Sequence, residues 1–422
     1  MATLSITRVL KFIQVVGDTL RVVLAYSGGL DTSVILMLLQ EKLGAEVITV
    51  TVDVGQENDF EGIAHKAEKL GSVKHYTIDA KHEFVERFVL PALKANALYE
   101  DKYPLSSALS RPLIAEKLVA IAKKEGAEII AHGCTGKGND QIRFELTIKA
   151  LEPSLKVIAP VRDWGLTRDW EIKYALSKGI PVKTKPYSID ENLWGRSIEC
   201  GILENPYAEP LEEVFKWTTA PEKAPEKPEY VTIEFKGGVP TAINDEYMDP
   251  YKAIALLNYK AGKHGVGRID HIEDRTVGIK SREVYECPAA ITLIEAHKDL
   301  EKLVLTKWEL QFKSLASEMW SWLVYTGLWI EPLRKELQVL IDEMNKRVNG
   351  VVKVKLYKGT AIVVGRNSPN SLYDIKVSTY EAWSTYDQKL AKGFIELWGL
   401  QSVMAFNKFM TKTHGDSYDI LP

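Results

Sequence analysis

Residues 27–33 read Ser27-Gly28-Gly29-Leu30-Asp31-Thr32-Ser33. Two adjacent glycines let backbone amides converge on an anion with no side chain in the way. Ser27, Thr32 and Ser33 add hydroxyl donors, and a helix starting here adds its positive end. Asp31 narrows the choice of anion. A carboxylate beside phosphates is repulsive unless a cation stands between them, so Mg2+ is implied. The competing explanation is a plain strand-to-helix turn with Asp31 as its cap. The loop is not a Walker A motif, because no Lys precedes its last Ser/Thr, and the G-x-G-x-x-G spacing is absent. A second loop, His132-Gly133-Cys134-Thr135-Gly136-Lys137-Gly138-Asn139-Asp140, exposes backbone at three glycines. Thr135, Lys137, Asn139 and Asp140 offer donors and acceptors together, and Arg143 follows one turn on. That mixture suits a small zwitterion beside a nucleotide; a purely structural loop is the alternative.

Such loops need strand ends to carry them. Residues 21–26 hold the apolar run Val22-Val23-Leu24-Ala25 and read as a strand. A helix is expected over 32–43, a β-branched strand over 46–52, a helix over 59–70 and a strand over 73–78. A further helix is expected over 112–125, opening on Pro112, with strands at 128–131 and 157–159. The alternation predicts an α/β fold, a doubly wound parallel sheet with helices on both faces. Ligands of such sheets sit at the carboxyl ends of the strands, where both glycine loops fall.

The pattern changes near Lys183. Residues 221–228 form a charged, proline-rich connector, and the run 222–229 reads as solvated linker. Beyond it, strands at 231–235 and 239–243 flank Gly237-Gly238 as a hairpin. Helices surround 251–259, 289–305 and 332–348, and 351–357 pairs with 360–365 around Lys358-Gly359. This half reads as α+β. The expected organisation is an N-terminal extension (1–18), a nucleotide-binding domain (19–182), a substrate-binding domain (183–373) and a C-terminal helical segment (374–422). In the last, Phe394, Leu397, Trp398, Leu400, Val403 and Phe406 need a cover, either a second subunit or the chain's own body. Trp308, Trp320, Trp322 and Trp329 read as core or interface. His264 receives no catalytic role; a turn and an inter-subunit contact both remain open.

The 422 residues are 45% hydrophobic and 26% charged, an ordinary globular composition. A net charge of −3 provides no general attraction to nucleic acid or an anionic membrane. No apolar run reaches the roughly 18 residues that span a bilayer. Cys134, Cys200 and Cys287 stand far apart without a C-x-x-C pair, which fits reduced thiols in the cytoplasm. Residues 6–16 are apolar and mildly basic. Lys11 and Gln14 interrupt them and no small-residue cleavage site follows, so a disordered extension, or a start site assigned too early, is expected rather than a secretion signal.

The first loop resembles the S-G-G-x-D-[ST]-S signature of the pyrophosphate-releasing (PP-loop) ATPases, which adenylate an oxygen. By itself it leaves several ligases open. One acting on a tRNA base would want a basic surface or a cysteine cluster, and the sequence has neither. A nucleotide sensor without catalysis is a further alternative, against which Asp31, Asp140, Arg143 and Glu273 all stand. The second loop, continued through Gln141, Arg143, Phe144 and Glu145, is similar to that of the argininosuccinate synthase family. Further matching strings follow in order: 97–103, Arg111-Pro112, 190–193, 201–206, 261–270, 280–282, Tyr285-Glu286 and Gly365-Arg366.

The resemblance implies an enzyme that joins citrulline to aspartate with ATP, through a citrullyl-adenylate, in arginine biosynthesis. It implies a homotetramer closed by C-terminal helices. ATP would lie on Ala25, Tyr26, Ser27, Gly28, Gly29, Leu30, Asp31, Thr32 and Ser33, with backbone near Val52 and Gly133. Aspartate would meet Thr135, Asn139 and Asp140. Citrulline would meet Tyr103, Ser107, Ala108, Asn139, Arg143, Ser188, Ser197, Glu273 and Tyr285. Asp31, Asp140 and Arg143 stand as the catalytic candidates. Departures are few: Ser106-Ser107-Ala108 replaces the family's Gly-Thr-Ser or Gly-Thr-Ala, Val52 replaces its usual Ala, and the segment after Pro160 is shorter than in some relatives. None removes a charged contact.

Overall fold

The computed structural model describes residues 20–182 and 186–410. The expected extension 1–18, the junction at Lys183 and residues 411–422 lie outside the described residues. The first sheet holds β1 (Arg21–Ala25), β2 (Glu46–Asp53), β3 (Lys74–Asp79), β4 (Ile129–Ala131) and β5 (Lys156–Ile158). Their order is β3-β2-β1-β4-β5, and every pairing is parallel. Val22, Val23 and Leu24 are fully buried, as a strand covered on both faces must be. From central β1 the chain first builds outward through β2 and β3, then returns to build β4 and β5 on the other side. That reversal makes the gap between β1 and β4 the topological switch point.

Helices α1 (Leu30–Leu43) and α2 (Phe60–Lys69) follow β1 and β2. Helix α3 spans Ser106–Glu125, six residues more than the sequence pattern indicates, with Pro112 inside rather than at its first turn. Proline lacks an amide and crowds the carbonyl four residues back. Here burial outweighs that defect, since Ala108, Leu109, Leu113 and Ala115 are all fully buried. The start is set instead by Leu105, held at φ 66°, which turns the chain sharply into the helix. Helices α4 (Asp140–Leu151) and α5 (Arg168–Ser177) complete this part.

Two antiparallel sheets follow. One has the order β11-β12-β7-β6, from β6 (Ser188–Asn192), β7 (Gly195–Glu199), β11 (Arg268–Asp274) and β12 (Lys280–Glu286). The other has the order β10-β9-β8-β13-β14, from β8 (Glu229–Lys236), β9 (Val239–Ile243), β10 (Glu246–Tyr247), β13 (Gly350–Tyr357) and β14 (Thr360–Asn367). Both expected hairpins are present. Helices α6 (Pro250–Lys263), α7 (Pro288–Val304), α8 (Lys307–Tyr325) and α9 (Pro332–Asn345) pack here. Helix α8 opens on a capping box between Thr306 and Glu309.

The connector is only partly the solvated linker expected. Glu222, Lys223, Glu226 and Lys227 are exposed, but Ala224 is buried. Glu229 starts β8, and its carboxylate takes Lys260 at 2.5 Å and His264 at 3.3 Å. His264 is itself buried, and its carbonyl accepts Gly359 N at 2.7 Å, which makes it part of a turn within this chain. Trp320 and Trp329 meet edge to face in the core, whereas Trp308 and Trp322 are exposed.

One compact unit ends at Asn370 and a second begins at Ser371. Within the second, α10 (Leu390–Trp398) and α11 (Leu400–Ala405) carry the apolar stripe. Phe394, Leu397, Trp398, Leu400, Val403 and Phe406 are each more than half exposed. No helix of the described residues is long and apolar enough to cross a membrane.

Candidate active site

The first loop leaves β1 and enters α1. Gly28 has φ 74°, and a Cβ there would stand 2.8 Å from Ile63 Cγ1, so both conformation and space call for glycine. Gly29, in extended conformation, is the N-cap of α1. Internal hydrogen bonds shape the turn: Ser33 Oγ donates to Gly29 O (2.6 Å), Gly29 N donates to Ser27 Oγ (3.3 Å), and Ser27 and Thr32 share hydroxyls at 3.2 Å. Tyr26 lies buried against Ser33, and burial raises its pKa. Asp31 is not a cap. Its carboxylate accepts from Arg168 Nη1 at 2.5 Å instead. Val52 lies buried in β2, beside β1. Gly133 follows β4, and a Cβ there would lie 3.4 Å from both Ile35 Cδ1 and Thr32 Cγ2. The two loops therefore meet at the switch point.

The second loop ends in α4. Asp140 sits in its first turn, where a negative side chain is favoured. Its Oδ1 accepts from Arg143 Nη1 (2.9 Å), and its Oδ2 from Arg111 Nε (2.9 Å) and Nη2 (2.8 Å). Burial works to raise the Asp140 pKa, but Arg111 and Arg143 together hold it below the ordinary value. Arg111 also meets Asp190 Oδ1 at 2.9 Å, and Asp190 Oδ2 accepts from Ser107 Oγ at 2.5 Å. Arg143 is locked from the other side. Its Nε (3.1 Å) and Nη2 (2.8 Å) both donate to the carbonyl of Tyr325, the last residue of α8. Last-turn carbonyls lack helical partners and attract cations.

Tyr325 reaches further. Its hydroxyl donates to Glu273 Oε1 at 2.6 Å, while Tyr285 donates to Glu273 Oε2 at 2.5 Å. Tyr103 stacks on Tyr285 (4.3 Å, 15°) and Tyr99 on Tyr325 (3.5 Å, 4°). Burial, then Glu273, pushes the Tyr325 and Tyr285 hydroxyls well above their ordinary range, so both stay protonated as donors. Tyr103 is fully enclosed, and its hydroxyl accepts Ser107 N at 2.8 Å. The tip between β11 and β12 closes on the second loop: Thr276 N donates to Asn139 Oδ1 (2.9 Å) and Arg275 Nη1 to Lys137 O (3.2 Å).

Tyr103, Ser107, Asn139, Asp140, Arg143, Glu273 and Tyr285 thus form one connected network. Ser197 joins it by register, opposite Asp190 on one side and Tyr285 on the other. Ser188 lies exposed at the start of β6, opposite Glu199. Thr135 is exposed at the crest of its loop, and Ala108 is wholly buried in α3. Sequence reasoning did not select Arg111, Asp190, Tyr99, Arg275 or Tyr325 as site residues. Arg111, Asp190 and Tyr99 fall in strings that matched the family, and Arg275 falls between two of them. Tyr325 carried no local signal, since it lies 182 residues from Arg143.

A glycine loop and a polar loop side by side at the switch point of a parallel sheet define a nucleotide-binding α/β domain, here coupled to a mixed α/β partner. Residues 21–181 match the family model described as "Arginosuccinate synthase N-terminal HUP domain", and residues 187–405 match "Arginosuccinate synthase C-terminal domain". The chain is 69% identical over 388 residues to the argininosuccinate synthase of Pyrococcus furiosus, covering 92% of this chain and 95% of that one. It is 55% identical over 392 residues to the one from Pyrobaculum aerophilum (92% and 98% covered). It is 56% identical over 383 residues to the one from Halalkalibacterium halodurans (90% and 93% covered). The chain belongs to the argininosuccinate synthase family.

Proposed function

We propose that this chain condenses citrulline with aspartate at the expense of ATP. It forms argininosuccinate and releases AMP and pyrophosphate, the penultimate step of arginine biosynthesis. The ureido oxygen of citrulline attacks the α-phosphorus of ATP and pyrophosphate leaves. The α-amine of aspartate then attacks the activated carbon of the citrullyl-adenylate, and AMP leaves. Neither step needs a covalent bond to the enzyme, so catalysis rests on positioning and charge stabilisation. The single observation that carries the assignment is Tyr325, whose carbonyl holds Arg143 while its hydroxyl holds Glu273. Through Arg143, which also donates to Asp140, it connects the residues chosen for citrulline to the loop chosen for aspartate.

The donor count fits a shared amino-acid site. Of the five N–H bonds of a guanidinium, Arg143 spends three, on Tyr325 O twice and on Asp140 once. Two remain for a substrate carboxylate or the ureido oxygen. Glu273 accepts two phenols and keeps lone pairs for the citrulline ammonium, with the stacked Tyr103 and Tyr285 beside it. Asp140 is assigned the aspartate ammonium, with Thr135, Asn139 and loop amides taking its carboxylates. Each charge-assisted contact is worth roughly 1.5–3 kcal/mol. Residues 25–33, with backbone near Val52 and Gly133, hold ATP.

Mg2+ fits beside Asp31. Among the described residues no group of three or more His, Cys, Asp and Glu forms a metal cage. A single half-exposed carboxylate at a phosphate loop suits an ion held mainly by phosphate oxygens. When bound, it would supply charge neutralisation for the departing pyrophosphate. We further assign the nucleotide-binding part to 19–182, the substrate part to 183–373 and assembly into a homotetramer to 374–422, from the exposed stripe on α10 and α11. The three cysteines are unpaired, in keeping with a cytoplasmic enzyme. The test is incubation with labelled ATP, citrulline and aspartate. AMP and pyrophosphate should appear in step with argininosuccinate, and pyrophosphate formation that needs no citrulline would sink the assignment.

A further inference from the structure

Two cations flank the first loop, and the chemistry above uses neither. Lys66, on α2, donates from its ammonium to the Gly28 carbonyl at 2.7 Å. It is half-buried, and burial pushes its pKa below the ordinary value with no opposing charge. Among the described residues no carboxylate stands within ion-pairing distance of it. A cation partly withdrawn from water without a counter-charge is unfavourable, so the site is built for an anion that arrives from outside.

Arg168 meets the other end of the same loop. It is the first residue of α5, which packs on α1 through Val34, Leu38 and Ala175. Its Nη1 lies 2.5 Å from Asp31 Oδ1, with side chains 52% and 41% exposed. An ion pair so open to solvent is weak and exchangeable. Glu171, one turn further along α5, is buried beside this pair, and its Oε1 has no hydrogen-bond partner. Arg168 is therefore held near the loop by Asp31 without being locked there.

We propose that Lys66 and Arg168 are a two-cation clamp for the pyrophosphate half of ATP, with Arg168 parked on Asp31 until the triphosphate arrives. The proposal rests on the ATP-cleaving function given above and adds residues to it. On arrival Arg168 turns from Asp31 to phosphate oxygens. Lys66 keeps one N–H on Gly28 and gives its remaining two to the same group. The exchange frees the Asp31 carboxylate for the cation that accompanies a polyphosphate. The clamp grips the leaving group, where negative charge grows as the bond to the α-phosphorus breaks. AMP lacks those phosphates and does not engage it.

The experiment is calorimetric titration of the full-length protein and its Lys66→Gln and Arg168→Gln variants with inorganic pyrophosphate and, separately, with AMP. Each variant should bind pyrophosphate about ten- to a hundredfold more weakly, the span expected for one charge-assisted contact, with AMP affinity unchanged. Lys66→Arg, which keeps the charge, should recover most of the pyrophosphate affinity and covers the case in which Lys66→Gln fails to fold. Undiminished pyrophosphate affinity in both Gln variants overturns the clamp. So does an equal loss for AMP and pyrophosphate, which would mark a collapsed loop. Citrulline-dependent pyrophosphate release by the unmodified protein is scored in parallel. Its absence removes the parent function, whereas its presence with unaffected variants removes the clamp alone.

Discussion

Replacing Asp140 by Asn keeps the shape of the side chain and removes its charge, so it isolates what that charge does. The carboxylate receives three N–H bonds, two from Arg111 at 2.9 and 2.8 Å and one from Arg143 at 2.9 Å. In the variant an amide NH2 faces one of these guanidinium groups instead of an oxygen. Breaking one side of a fully buried ion pair costs about 3–5 kcal/mol. Asp140 is 28% exposed, and Arg111 keeps Asp190 as a partner, so the stability loss should be nearer 2 kcal/mol. Function should divide unevenly. The aspartate ammonium loses its counter-charge, a contact of roughly 1.5–3 kcal/mol, so aspartate affinity should fall about ten- to a hundredfold. Arg143 keeps both bonds to the Tyr325 carbonyl, so the citrulline side stays in place and adenylation persists. The assay pairs aspartate titration in the presence of citrulline and an uncleavable ATP analogue with citrulline-dependent pyrophosphate release in the absence of aspartate. Loss of that release at undiminished aspartate affinity would refute the division of roles.

Other consequences are directly measurable. Tyr325→Phe removes the hydroxyl from Glu273 but keeps the ring on Tyr99 and the carbonyl on Arg143. KM for citrulline should rise about tenfold and the melting temperature should fall by a few degrees, because Glu273 loses a buried charge-assisted hydrogen bond; an unchanged KM would deny Tyr325 its bridging role. Glu171 is raised from 4.5 to about 7, by burial first and by Asp31 second. A carboxyl raised on folding stabilises the native state most below its unfolded value, and that stability is lost as pH climbs through about 7. Glu171→Gln should therefore match the parent near pH 4 and exceed it at pH 8 by on the order of 3 kcal/mol; denaturant melts showing no pH-dependent gap would contradict this. Aspartate placed at both Leu397 and Trp398, each more than half exposed, should lower the sedimenting mass without unfolding the chain, and an unchanged mass would exclude this stripe from subunit contacts.

Much of the molecule was legible beforehand, for local reasons. A strand buried on both faces must be an apolar run, so Val22 to Leu24 declared itself. A tight strand-to-helix turn closed by its own hydroxyls needs glycine at a positive φ and Ser or Thr within a few residues, so 27–33 did too. Pro112 misled because propensity is a local preference, and the packing of Ala108, Leu109 and Leu113 overrode it. The connector misled because Ala224 carries no periodic pattern that marks it as buried.

The candidate site divides along the same line. Asp140 and Arg143 share one turn of α4, so their pairing follows from helix spacing once the loop is placed. Arg111 joins them from 29 residues away, Tyr325 from 182, and Glu273 meets Tyr325 across 52. No spacing rule reaches such distances. They are set by which helix ends and strand registers the core brings together. Sequence alone determined the glycine loop, the alternation that builds its sheet and the types of charge at the candidate site. Tertiary structure alone decided that Tyr325 links Arg143 to Glu273, that Asp31 rests on Arg168, and that Lys66 faces the loop with no carboxylate beside it among the described residues. Loop chemistry is carried by neighbours in the chain, whereas charge pairing is carried by neighbours in space.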